Sequence, residues 1–159
     1  MYTVYGRACI FRMKRQDLGR WHTIVVSMSL KAARDHLKIA KKQWERASSD
    51  AWAPEDPASC VTNVFYSYEN IVVAIAEAHG KKWTRNHYEK ADLAEKLAEA
   101  GIVTVNAKDV ILLLNNLRKD VSYGEPGYEL ANADLEQFVS DVEGFYDEAE
   151  AIVNALEGA

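Results

Sequence analysis

A chain of 159 residues, 48% hydrophobic and with a formal net charge of −5, has the length of one domain and the apolar content for one sizeable core. No apolar run approaches the roughly 18 residues that a membrane span needs, the longest being Ile71–Ala76 and Val110–Leu114. Two isolated cysteines, Cys9 and Cys60, make neither a disulfide framework nor a zinc site, which points to a reducing cytoplasm; Arg7 and Arg12 interrupt Met1–Met13, so this stretch does not read as a signal peptide.

Residues 1–27 lack helical periodicity. Thr3–Arg12 and Trp21–Ser27 are rich in β-branched and aromatic residues and are separated by the polar Lys14–Arg20. This segment reads as an N-terminal extension or a β-hairpin ahead of a helical domain over residues 28–159. From Leu30 onward, Ala33, Leu37, Ala40, Trp44 and Ala47 recur three and four apart, the stripe of an amphipathic helix, with Ser29 as its candidate N-cap. Ser48, Ser49, Pro54 and Pro57 mark a loop. A second helix carries Val61, Val64, Phe65, Tyr68, Ile71, Val72 and Ile75 on one face and stops near His79-Gly80. A third runs from about Asn86 to Ala100, ended by Gly101. A fourth, capped by Asn106, runs to about Ser122. Its Val110, Ile111, Leu113, Leu114, Leu117 and Val121 make it the most apolar, and it is expected at the centre. Gly124, Pro126 and Gly127 break the chain. The last helix, from about Asn132 to Leu156, keeps Leu135, Phe138, Val142, Phe145, Ala149 and Val153 in register. Short connections favour antiparallel neighbours, so the expected fold is all-α: an up-and-down bundle of about five helices with a short extended or hairpin-like N-terminal segment.

The net charge conceals an asymmetry. Residues 1–50 hold eleven Lys/Arg against four Asp/Glu, or +7, whereas residues 120–159 hold eleven Asp/Glu and no Lys or Arg, or −11. A basic front half suits an anionic partner such as RNA. It equally suits a basic first helix lying beside an acidic last one.

The stretch Leu113-Leu114-Asn115-Asn116-Leu117-Arg118-Lys119-Asp120-Val121-Ser122-Tyr123-Gly124 sets an arginine near the end of an apolar helix, a tyrosine five residues later, and a glycine stop. It resembles the signature helix of HEPN domains, in which an Arg is followed by a His four to six residues on. Arg118 matches; Tyr123 stands where the His is expected. The pairing of Ser29–Ala47 with Asp92–Ala98 is similar to the family's first and third helices. The resemblance implies metal-independent RNA cleavage at a homodimer interface, with toxin–antitoxin or defence roles and no cofactor. Arg suits a phosphorane because it offers a fixed fork of donors and a permanent charge. A phenol, with a reference pKa of about 10, is a poor base at neutral pH, so Tyr123 implies a weak or degenerate site in which it donates a hydrogen bond. Asn115, three residues before Arg118, would assist.

Lys81-Lys82-Trp83-Thr84-Arg85-Asn86, flanked by His79 and His87, mixes positive charge with an aromatic. Lys81, Lys82, Arg85 and Lys119 are the candidate nucleic-acid contacts, with Trp83 either stacking on bases or folding onto the bundle. No His pair has metal-helix spacing with a supporting carboxylate, so no metal is expected. Two functions remain open: a HEPN-like protein with a weak RNA-cleaving or RNA-binding site at Arg118 and Tyr123, or an inactive HEPN-like module that dimerises and binds a cognate partner protein or nucleotide.

Overall fold

The computed structural model describes residues 15–51, 56–122 and 133–158, with side chains over 29–50, 56–121 and 133–158. Five helices pack together: α1 (Arg15–Ala51), α2 (Pro57–Ala78), α3 (His87–Glu99), α4 (Lys108–Ser122) and α5 (Leu135–Glu157). There is no strand among the described residues. No described helix is long and apolar enough to cross a membrane.

Local chemistry fixes most helix ends. Asp56 accepts from the Ser59 amide at 2.9 Å, and Pro57 follows at the first helical position, where its missing N–H costs nothing. Asn86 accepts from the Tyr88 amide at 2.9 Å, Asn106 from the Lys108 amide at 3.1 Å and Asp134 from the Gln137 amide at 3.0 Å. Gly80 and Gly101, at φ 62° and 66°, turn the chain after α2 and α3 in the left-handed region that glycine enters cheaply.

Several expectations are corrected, among them the loop at Ser48 and Ser49, which lie inside the last turns of α1. Trp21–Ser27 is not extended: α1 begins at Arg15 and runs through it, while residues 1–14 lie outside the described residues. β-Branched residues lower helix propensity only slightly, and lengthening an existing helix avoids the cost of nucleation. Ser29 is therefore inside the helix, and its hydroxyl donates to the Glu77 carbonyl instead of capping.

The centre belongs to α2, not α4. α2 packs on each of the other four helices, and thirteen of its 22 residues are buried. α4 buries Ile111, Leu114 and Leu117, but Leu113 is 42% exposed, so its apolar arc leaves one flank open.

Side-chain pairs give the register. Ser29 meets Glu77, Ala40 meets Ser67 at 3.0 Å and Ala47 meets Cys60 at 3.5 Å, so α1 and α2 are antiparallel. Arg34 bonds Asn154 and Glu157, and Trp44 stacks on Tyr146 at 6.2 Å, so α5 is also antiparallel to α1. The charge asymmetry is thus partly internal: α5 lies on α1, with Arg34 paired to Glu157 at 2.6 Å.

Cys60 offers a check on this packing. It is fully buried, and burial first, then the charge of Asp50, pushes its thiol up to about 11. The thiolate is the nucleophile. Cys60 should therefore resist iodoacetamide at neutral pH in the folded protein and react on unfolding, as read by mass spectrometry of its peptide. Rapid native labelling would show the α1–α2 seam to be open.

Candidate functional site

Arg118 is half-buried, just ahead of the last turn of α4. Its guanidinium donates to the Tyr66 hydroxyl at 3.2 Å and to Asn115 Oδ1 at 3.0 Å. It lies over two rings of α2, 4.9 Å from the Phe65 centroid and 5.6 Å from that of Tyr66. Asn115 is one helical turn earlier and almost wholly buried, so it works as a bracket for Arg118 and presents no exposed amide. Tyr123 lies outside the described residues.

Sequence reading missed the group across the Phe65 ring. His87, at the start of α3, packs edge-on against Phe65 at 5.2 Å. Its Nδ1 lies 2.6 Å from Glu69 Oε1, and Lys90 Nζ is 3.0 Å from the other carboxylate oxygen. The Glu69 side chain is 3% exposed, so its charge is removed from water and held by two cationic or potentially cationic partners. Among the described residues His87 Nε2 has no hydrogen-bond partner, and it is not a buried atom. An imidazole oriented through one nitrogen with the other accessible is suited to moving a proton. Beside these, Lys119 Nζ reaches the Tyr88 hydroxyl at 3.0 Å, tying the end of α4 to the start of α3. One signal for this group was present in the sequence: Glu69 is the single charged residue between Asp56 and Glu77.

The α2–α3 loop is separately organised. Trp83 folds onto the bundle: its Nε1 donates to Glu77 at 2.7 Å and its ring meets His36 edge-on at 5.4 Å. Lys81, Lys82 and Lys96 surround a cleft of about 340 Å³ together with Glu89 and Asp92, so its charge is mixed. Arg85 is exposed on the same loop. The structure therefore brings Arg118, Asn115 and Lys119 together, and gathers Lys81 and Lys82 elsewhere around α3. No group of three or more metal-ligating side chains occurs among the described residues.

Comparison with protein-family models, with curated proteins and with solved structures finds no match to this chain.

Proposed function

We propose that the protein is a HEPN-like helical module, paired as a homodimer, that binds RNA through Arg118 and cleaves it weakly without metal, in a toxin–antitoxin or defence setting. The observation that carries this reading is the fixed arginine: Asn115 and Tyr66 hold its fork over Phe65, and a Glu69-oriented His87 packs on the same ring. A guanidinium held in place suits phosphate oxygens, and an imidazole near it suits the proton of a 2′-hydroxyl. The five-helix architecture and the place of Arg118 at the end of α4 agree with the family pattern. Pairing has a candidate apolar contact in the exposed Leu113 on the same helix.

The test is an RNA binding and cleavage series in EDTA with wild type, Arg118→Ala, Tyr123→Phe and Tyr123→His. Arg118→Ala should weaken binding by about 1.5–3 kcal/mol, the worth of a hydrogen bond to a charged group, and lower the salt slope by about one. Tyr123→His should raise cleavage only while Arg118 is present. Unchanged RNA affinity in a folded Arg118→Ala protein, or light scattering that stays at 17.9 kDa, would defeat the reading. The second reading, a silent module that binds a partner protein or nucleotide, is favoured by the same bonds seen otherwise: they also make Arg118 a packing group for Phe65 and Tyr66.

A further inference from the structure

A second cleft, of about 580 Å³, opens where α2 and α5 meet the loop leading into α4. It shares no lining residue with the Arg118 group, and its volume falls within the usual range of small-molecule sites. Its floor is aromatic. Tyr68 and Phe145 stack with centroids 5.7 Å apart, and neither is more than 2% exposed. Tyr68 lines the cleft, and its hydroxyl has no hydrogen-bond partner among the described residues and is not a buried atom. Burial first, then the charge of Asp141, pushes this phenol far up, so it stays a neutral donor and acceptor.

The wall supplied by α5 is acidic. Asp141 and Glu148 lie two turns apart on one face, and among the described residues no Lys, Arg or His lines the cleft. Both carboxylates are partly engaged. Asp141 Oδ1 accepts from Gln137 Nε2 at 2.7 Å, and Glu148 Oε1 accepts from the Thr104 amide at 2.6 Å. Glu148 Oε2 is buried and has no partner among the described residues. Between the two acids on the same face sits Gly144, where an added Cβ would meet nothing within 4 Å. A glycine inside a helix is costly relative to alanine, and here its missing side chain leaves the cleft open.

We propose that this cleft binds a small organic cation, a primary ammonium carried on an apolar body. The wall offers acceptors, so the ligand must bring donors and positive charge. Val105, Val110 and Phe145 in the lining take the apolar body. An anion would meet two carboxylates in a partly dry site and is excluded by the same geometry.

The full-length protein, labelled with ¹⁵N, can be titrated with phenethylamine, and with 2-phenylethanol as its neutral counterpart of matching shape. Phenethylamine should shift the amides of Thr104, Val105 and Gly144 saturably, and the alcohol should bind about tenfold more weakly or worse, the loss expected from a charged hydrogen bond. Asp141→Asn and Tyr68→Phe should each weaken phenethylamine binding. Gly144→Leu should abolish it while the melting temperature holds or rises, because the new side chain fills open space and favours the helix. Equal affinity for amine and alcohol would overturn the assignment of charge. Unchanged binding in Gly144→Leu, or no saturable shift in wild type, would overturn the site.

Discussion

Phe65→Ala should destabilise the fold by roughly 3–5 kcal/mol, the cost of emptying a core site of a large aromatic. Phe65 is fully buried on the central helix, and three functional candidates lean on it: Arg118 over its face, His87 against its edge and Tyr66 beside it at 5.2 Å. Phe65→Leu separates packing from ring chemistry. It keeps most of the volume, so its stability cost should stay near or below about 1.5 kcal/mol, while Arg118 loses the nearer of its two rings. Denaturant unfolding of the three proteins checks the first statement, and their RNA affinities check the second. An alanine variant as stable as wild type would mean that α2 is not the core helix.

The Glu69 network should give the second large effect. One carboxylate, 3% exposed, is shared by Lys90 and His87. The double change Lys90→Met, His87→Phe strands that charge in the interior, and breaking a buried pair from one side costs roughly 3–5 kcal/mol. Lys90→Met alone should cost less, about 1.5–3 kcal/mol, because His87 still bonds the carboxylate. Adding Glu69→Met to the double change removes the stranded charge and should recover most of the loss, since buried pairs replaced whole by apolar residues are often neutral. Thermal melts of the single, double and triple variants decide it. A triple variant no more stable than the double would show that the network positions α3 through geometry that methionine cannot replace.

Helix starts were legible where a short polar side chain had one local job. Asn86, Asn106 and the Gly80 and Gly101 stops could be read because capping and positive φ are decided within a few residues. Ser29 could not, because a serine hydroxyl caps in one setting and bonds a distant carbonyl in another, and Glu77 is 48 residues away. The centrality of α2 was hidden for a related reason. Apolar count rates α4 highly, but burial depends on how many sides meet neighbours, and α2 has four. At the candidate site, the Asn115–Arg118 pair follows from helical spacing alone. Phe65, Tyr66, Glu69 and His87 join it only through the packing of α2 and α3 against α4, which no local pattern carries.

The antiparallel α1–α2 seam has a consequence for how the chain is made. Its hydrogen bonds join residues 9 to 48 apart, so this hairpin can form as soon as both helices have emerged during synthesis. The pairs that bring α5 home, such as Arg34 with Asn154, span 120 residues. Until then Tyr68 lacks Phe145, and one apolar flank of the central helix stays uncovered. Assembly should therefore come in two stages, an early hairpin and a late closure by α5. In the interval between them the nascent chain presents its stickiest surface, the period in which a chaperone has most to hold.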